Sequence, residues 1–397
     1  MSNFHIVRKG LDLPILGAPE ALVDGHLSAS VYAVRPSDFR GLVPKLAVKE
    51  GDRVLAGDVL FTDKADPRIR VTSPVSGEVA RIERGDKRKI LGVVVLADSQ
   101  QEYRKFTSGT PASREDAINW LLESGAWSLV ESRPYGRIAS PDAEPKAVFV
   151  NGMATEPLAV APAVALAGRE EDFAMGLQVV SLLSKRTVLS IAASETAPAL
   201  TKASGVELHQ FKGPHPSGTT SVHINQISPI NKGEVVWTLN YQDVAVIGHL
   251  ARTGSFKLER VVALCGTGFA KPRAITAVAG ANLENYLGSE LKSGNFRVIS
   301  GSVLSGANVG KAGYLTYYAS QLTAIPEGEG TDFFGWVLPS MGKWSVSRTL
   351  FSWLTPNKKF DLNTKQHGED RAFVVTGLYE KVFPFDILPM PLLKAMW

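Results

Sequence analysis

Residues 43–82 constrain the fold most, because apolar and polar positions alternate there in short runs. Gly-Asp pairs at 51–52 and 57–58, Ser-Pro at 73–74 and Gly77 separate these runs. A period of two indicates strands with one buried face, and Gly/Asp turns between them indicate hairpins. The segment therefore predicts a small unit of short antiparallel strands.

The order of Gly, Asp, Lys and Pro in this segment resembles the barrel-sandwich domains that carry lipoyl or biotinyl groups. Lys64 stands where such carriers are modified. The spacing from Lys64 to Ser73 is slightly longer than in lipoyl domains, and no flexible Ala/Pro-rich linker follows residue 97. We therefore expect an unmodified surface lysine and keep a lipoyl- or biotinyl-type carrier as an alternative function.

The bulk composition excludes several classes of protein. The chain has 397 residues, enough for several domains, and a net charge of only +4. No dense Lys/Arg cluster marks a nucleic-acid surface. The N-terminus lacks a signal-peptide core, and no uncharged apolar stretch approaches about 18 residues. We expect a cytoplasmic chain, which leaves open a peripheral position on a membrane complex.

Strand and helix patterns alternate in the second quarter of the chain. Strand patterns begin at 146, 185 and 206, and a helix pattern covers 170–183 between the first two. This order predicts a parallel α/β layer. Residues 114–125 and 241–253 predict two further helices, the first with Ser113 as N-cap and Gly125 as its stop.

Four domains follow from these patterns, and together they predict a multidomain α/β fold. Residues 1–100 form the barrel-sandwich domain, and 101–257 form the α/β domain. Residues 258–330 form a β-grasp domain. Residues 331–397 are β-rich, with aromatic side chains packed between long hairpins; the aromatics are Phe333, Phe334, Trp336, Trp344, Phe351 and Trp353.

No residue pattern indicates a catalytic, metal or nucleotide site. The single cysteine, Cys265, lies in an apolar strand and excludes iron–sulfur ligation within this chain. His215 and His223 flank a Pro/Gly loop without nearby carboxylates, so we expect both imidazoles to satisfy backbone groups. No phosphate-binding glycine motif and no nucleophile elbow occurs.

Several segments in order along the chain resemble the A subunit of the Na⁺-translocating NADH:quinone oxidoreductase. They are Lys9–Ile15, Gly213–Pro216, Asn240–Val244, Arg297–Leu304 and Phe334–Trp336. Members of that family normally continue with a cysteine-containing helical segment, so this chain is expected to be C-terminally truncated.

That family in turn resembles the flavin-bearing subunit of respiratory complex I, which implies a Rossmann-like fold for residues 101–257. The same resemblance implies that the β-grasp domain, 258–330, is of the soluble-ligand-binding type. Val150–Pro157 is similar to a flavin-site segment of that subunit, with Met153 and Ala154 in place of two acids. The glycine-rich phosphate loop would fall near Gly125, where bulky side chains follow instead. The resemblance therefore implies a chain without flavin or other cofactor of its own.

The family resemblance implies a peripheral subunit on the cytoplasmic face of the bacterial inner membrane. The assembled enzyme couples NADH oxidation and ubiquinone reduction to sodium export, as an NADH:ubiquinone reductase. Its flavins and iron–sulfur centres would lie in partner subunits, including a membrane-embedded quinone and flavin subunit. The isolated chain is expected to be inactive.

Two segments match regions of the family that are implicated in quinone binding, Tyr32–Leu42 and Arg133–Ala139. There, the aromatic faces would come from Phe39 and Tyr135, and the donors to quinone carbonyls from Arg35, Arg133 and Arg137. The alternative is that these residues only contact the membrane subunits, which makes the chain a structural docking subunit.

Overall fold

A computed structural model describes residues 3–330, 334–335, 340–346, 348–367 and 372–397. The strands, in chain order, are β1 Phe4–Ile6, β2 Glu20–Leu27, β3 Val31–Val34, β4 Pro44–Leu46, β5 Arg53–Val54, β6 Val59–Asp63, β7 Arg70–Thr72, β8 Gly77–Arg84, β9 Ile90–Ala97, β10 Glu131–Arg133, β11 Arg137–Ile138, β12 Val148–Gly152, β13 Thr187–Ala192, β14 Glu207–Lys212, β15 Val236–Asn240, β16 Glu259–Cys265, β17 Arg273–Val278, β18 Phe296–Ser300, β19 Ala307–Asn308 and β20 Gln321–Pro326. The α-helices are α1 Arg114–Ser124, α2 Pro162–Ala165, α3 Glu170–Ser181, α4 Pro198–Thr201, α5 Thr220–Ile227, α6 Tyr241–Thr253, α7 Glu284–Glu290, α8 Leu378–Val382 and α9 Pro389–Met396.

Two small antiparallel sheets form the unit predicted from residues 43–82. One sheet has the order β3-β9-β8-β5 and the other the order β4-β6-β7. Every pair within them is antiparallel. The alternating apolar side chains meet between the two sheets, where Leu60, Phe61, Val71 and Val79 are fully buried. The prediction of short antiparallel strands is confirmed.

A seven-stranded sheet, in the order β1-β14-β13-β12-β15-β10-β11, forms the α/β unit. Its first five strands are parallel, and β10 and β11 are antiparallel at one edge. The predicted parallel layer is confirmed, as is helix 241–253. Ser113 caps α1 by accepting a hydrogen bond from the Asp116 N–H, and Gly125 ends that helix with a φ of 80°.

A six-stranded mixed sheet, in the order β19-β18-β20-β16-β17-β2, forms the third unit. Its strand β2 precedes the barrel-sandwich strands in the sequence, and β1 belongs to the seven-stranded sheet. The predicted first domain, 1–100, stays a prediction, and its strands β1 and β2 pair with strands of the two other units. The partner strands of β1 and β2 lie more than 200 residues away in the sequence, so no local pattern predicts this pairing. The β-grasp arrangement stays a prediction.

The region predicted as aromatic-rich hairpins is different in the structure. Its described residues contain a 3-10 turn at Phe351–Leu354 and the helices α8 and α9, but no strand. Phe351 and Trp353 are exposed instead of packed together. Aromatic rings hold hairpins together only where a partner surface buries them, and these two rings remain exposed to solvent. Phe333 and Trp336 lie outside the described residues.

Candidate functional site

A crevice opens where β12 and β15 end side by side. The two strands run parallel, with Asn151 opposite Asn240 at their carboxyl ends. From β12 the chain passes to β13 and β14 on one side of the sheet and then returns to β15 on the other side. This reversal of strand order is the position at which open α/β sheets bind ligands. A cavity of about 330 Å³ lies there, beside a second one of about 260 Å³ that shares four lining residues with it.

The start of helix α6 forms one wall of the larger cavity. The Asn240 side chain accepts a hydrogen bond from the Gln242 N–H at 2.9 Å, and the Asp243 carboxylate accepts one from the Asn240 N–H at 3.2 Å. This reciprocal capping arrangement satisfies the first N–H groups of the helix. It also holds both side chains against the cavity.

A buried ion pair connects α6 to strand β16 at this wall. Arg260 Nη2 lies 2.6 Å from Asp243 Oδ1, and the two side chains are only 3% and 8% exposed. Nη2 is engaged by this ion pair, whereas Nε of Arg260 has no acceptor among the described residues. The guanidinium carbon lies 6.0 Å from the ring centre of Tyr318. Arg260 thus brings a buried charge and one unsatisfied N–H group to the cavity.

Aromatic rings lie beside this ion pair. Phe39 packs on Tyr317 and Tyr318 with ring centres 4.6 and 5.8 Å away. The Tyr318 hydroxyl donates to the Ser128 carbonyl oxygen at 2.6 Å. Burial raises the pKa of both tyrosines, so both stay neutral hydrogen-bond donors at physiological pH.

Asp38 adds a carboxylate to the same cavity. It accepts hydrogen bonds from the Tyr317 N–H at 2.9 Å and from Arg35 at 3.2 Å. Burial raises the pKa of Asp38, while the charge of Arg35 and the hydrogen bonds act in the opposite direction. Arg35 is thereby held by Asp38 and does not line the cavity.

Three of the five residues predicted to bind quinone meet at the cavity. Phe39, Arg133 and Arg137 line it. Phe39 is only 2% exposed, because Tyr317 and Tyr318 cover its ring. Arg133 pairs with Glu131 at 2.8 Å. Tyr135 is 71% exposed in the turn between β10 and β11, and with Arg35 it lies outside the lining.

Sequence reasoning missed Arg260, Asp243 and Thr220, which also line the cavity. A signal existed for Asp243, because an Asn three residues before an Asp at a helix start is a capping pattern. No signal existed for Arg260, since its partner is brought to it only by the packing of α6 on β16.

The imidazoles of His215 and His223, which flank the Pro/Gly loop, both have hydrogen-bond partners within the protein. His223 Nε2 lies 3.0 Å from the Ser217 carbonyl oxygen, and His215 Nδ1 lies 3.1 Å from the Thr155 hydroxyl. The expectation of backbone satisfaction is confirmed for His223, whereas His215 contacts a side chain. Burial lowers the pKa of His223 to about 3, so its ring is neutral. In the described part of the chain, no group of three or more His, Cys, Asp or Glu side chains is placed to hold a metal.

Cys265 is fully buried, with its sulfur 3.3 Å from the Thr323 hydroxyl. Burial raises the pKa of its thiol to about 11, which leaves it protonated and unreactive at neutral pH. The expectation of a buried small hydrophobic residue is confirmed.

Lys64 lies in the loop between β6 and β7, and this loop is fastened at several points. The Lys64 N–H donates to the Val43 carbonyl oxygen at 2.8 Å. Arg68, in the same loop, binds both Asp66 and Asp142, at 2.7 and 2.6 Å. The lysine therefore sits on an anchored loop that contacts the α/β unit.

None of the helices in the described ranges has the length and hydropathy needed to cross a bilayer.

Three family models match the chain in succession. Residues 6–98 match the NqrA N-terminal barrel-sandwich hybrid domain, 112–256 match the NqrA second alpha/beta domain, and 261–311 match the NQRA C-terminal domain.

Curated relatives extend these matches over nearly the whole chain. The A subunit of the Na(+)-translocating NADH-quinone reductase of Neisseria meningitidis serogroup A is 42% identical over 396 residues. The proteins of the same name from Hahella chejuensis and Vibrio vulnificus are 39% and 38% identical, each over 395 residues. In all three cases, the match covers 98% of this chain and 88% of the relative.

Proposed function

Because the chain belongs to the A-subunit family of the Na⁺-translocating NADH-quinone reductase, we propose that it is a peripheral subunit of this pump that helps to bind ubiquinone. The assembled pump would oxidise NADH, reduce ubiquinone and export sodium. The chain would sit on the cytoplasmic face of the bacterial inner membrane beside the membrane-embedded subunits.

The observation that supports a quinone role is the meeting of Phe39, Arg133 and Arg137 at one cavity. These residues come from segments almost 100 positions apart in the sequence. A quinone head group is flat and apolar with two carbonyl acceptors, so it requires donors beside an apolar wall. Arg133 and Arg137 supply the donors, and the edge of the Phe39 and Tyr318 cluster supplies the wall.

We also propose that the chain holds no flavin and that partner subunits hold the flavins and iron–sulfur centres. The segment after Gly125 forms a 3-10 turn in which Ala126, Trp127, Ser128 and Leu129 are all buried. Trp127 packs edge-on against Trp237, with ring centres 5.2 Å apart. Large side chains at this turn support the proposal, because a phosphate-binding loop needs glycines that let the phosphate approach the backbone.

A role in docking alone is the second candidate, and the C-terminal helix favours it. Large apolar side chains on this helix and just before it are exposed; they are Ile387, Leu388, Leu392, Met396 and Trp397. An exposed apolar group of this kind marks a contact with another protein or with lipid. A membrane-embedded subunit would cover it in the assembled pump.

A titration with a short-chain quinone separates the two candidates. Trp127 and Trp237 adjoin residues that line the cavity, so binding should quench tryptophan fluorescence in a saturable manner. Arg133→Gln should weaken binding about five-fold, the value of one hydrogen bond near 1 kcal/mol. Arg104→Gln is the matched control, because Arg104 is also ion-paired but lies away from the cavity.

Two other results would contradict the proposed roles in quinone binding and in flavin-free function. The absence of a saturable response in both the isolated chain and the complex would leave docking as the role. A purified chain that is yellow and oxidises NADH unaided would contradict the proposal that flavin lies elsewhere.

A further inference from the structure

The Arg260 guanidinium keeps one N–H, that of Nε, without an acceptor among the described residues although the side chain is almost completely buried. Its side chain is 3% exposed and lines the cavity at the carboxyl ends of β12 and β15. Asp243 Oδ1 lies 2.6 Å from Nη2 and compensates the charge, but Nε donates no hydrogen bond to a described residue. Unsatisfied buried donors are rare in native proteins, because each one costs free energy on folding. A ligand with acceptor oxygens would remove that cost.

The N-terminus of helix α5 presents further free donors at the same cavity. Thr219 is the N-cap residue, but its side chain does not cap the helix and donates instead to the Pro216 carbonyl oxygen at 2.9 Å. The N–H groups of Thr220 and Ser221 have no acceptor among the described residues. Thr220 lines both neighbouring cavities. The first N–H groups of a helix point along its axis and attract anions.

The charges around the cavity also favour an anion. Four arginines line it, Arg40, Arg133, Arg137 and Arg260, against three carboxylates, Asp38, Glu131 and Asp243. Each carboxylate is already paired with an arginine. Within the described ranges, Arg40 and Arg137 have no carboxylate within ion-pair distance, so positive charge remains uncompensated.

We propose that this crevice binds the phosphate group of a small phosphorylated ligand, held by Arg260 and by the N–H groups that open α5. A phosphate has several acceptor oxygens, enough for a guanidinium and a helix N-terminus together. The site lies where the strand order reverses, which is where α/β sheets bind phosphorylated ligands. The proposal concerns the inner wall of the cavity and stands whether or not a quinone binds at Arg133 and Arg137.

Calorimetric titration of the full chain with inorganic phosphate, AMP and adenosine tests this proposal. AMP that binds while adenosine is silent supports a phosphate monoester as the ligand, and equal binding of inorganic phosphate supports free phosphate. Adenosine that binds as tightly as AMP would overturn the proposal. So would the absence of binding by both phosphate and AMP at millimolar concentration.

Two variants of Thr220 provide a matched pair. Thr220→Pro removes one free N–H while keeping a residue that is favoured at the first position of a helix. It should lower the affinity for the phosphate probe about ten-fold, the effect of one charge-assisted hydrogen bond. Thr220→Val keeps the N–H and the branched shape and should change affinity less than about two-fold. Equal affinities of the two variants would contradict the role of α5.

Arg260→Lys tests the other half of the site without leaving Asp243 unpaired. The lysine keeps the charge but loses the planar fork, so affinity for AMP should fall about ten-fold. Unchanged affinity in a variant with the parent thermal midpoint would exclude Arg260 as a ligand. A separate titration with FMN tests the proposed function: a yellow complex would contradict the flavin-free role and leave the phosphate site standing.

Discussion

His223 is a buried imidazole whose neutral form the fold requires. It is 1% exposed, packs on Phe211 and contacts the Ser217 carbonyl oxygen. Burial lowers its pKa to about 3, whereas the unfolded chain titrates near 6.5. The unfolded state therefore binds more protons between these values, and stability falls as the pH drops below about 6.5.

We expect His223→Gln to flatten this pH dependence, because the amide keeps a donor for Ser217 but does not titrate. Between about pH 6.5 and pH 5, the free energy of unfolding of the parent should change by up to about 1.4 kcal/mol per pH unit more than that of the variant. Urea unfolding followed by tryptophan fluorescence measures both slopes. Parallel slopes would show that His223 does not contribute, since the other histidines are common to both proteins.

Helices α3 and α6 cross at glycines that allow their backbones to touch. A Cβ atom on Gly248 would lie 1.6 Å from the Asp172 carbonyl oxygen, and one on Gly176 would lie 1.9 Å from that of Val244. Backbone cannot yield as a flexible side chain can, so even one methyl group forces the helices apart. This crossing holds the start of α6, and thus Asn240 and Asp243, against the crevice.

Gly248→Ala should destabilise the protein by about 3 kcal/mol or more, because it overpacks this crossing. Gly288→Ala is the matched control, since Gly288 is also helical but has no atom within 4 Å of the position that a Cβ would take. The control should be neutral or stabilising by up to about 1 kcal/mol. Thermal unfolding of the two variants decides the point, and similar losses in both would show that the crossing is not tight.

The N-terminal segment links the units of the whole molecule. Strand β1 completes the seven-stranded sheet beside β14, and β2 completes the six-stranded sheet beside β17. Val7 follows β1 and is buried with Met153, Phe211 and Val222. The chain therefore reaches its barrel-sandwich unit only after contributing to both other sheets.

Val7→Asp should destabilise the α/β unit by about 3 kcal/mol, because it places a carboxylate in an apolar cluster. Ile6→Asp is the control, since Ile6 is the preceding residue and is 60% exposed. It should change stability by less than about 0.5 kcal/mol. Hydrogen exchange at β14 reports the effect. If both variants exchange like the parent, the segment does not anchor the sheet.

Local patterns in the sequence were enough to predict the barrel-sandwich strands, the parallel layer and the limits of α6. Alternation over residues 43–82, the Ser113 cap and the Gly125 stop each act within a few residues, so they can be read without knowledge of the fold. The aromatic tail misled the prediction because aromatic side chains pack only where a partner surface exists, and Phe334, Phe351 and Trp353 are exposed.

Long-range packing alone explains the features that local sequence patterns did not predict. Three kinds of contact join positions from 17 to more than 270 residues apart. They are the strand partners of β1 and β2, the packing of Phe39 on Tyr318, and the ion pair of Arg260 with Asp243. Strand edges and cavity walls are chosen by the burial of whole surfaces, which no short window of sequence contains. The crevice exists because the strand order reverses between β12 and β15, and that reversal is a property of the assembled sheet.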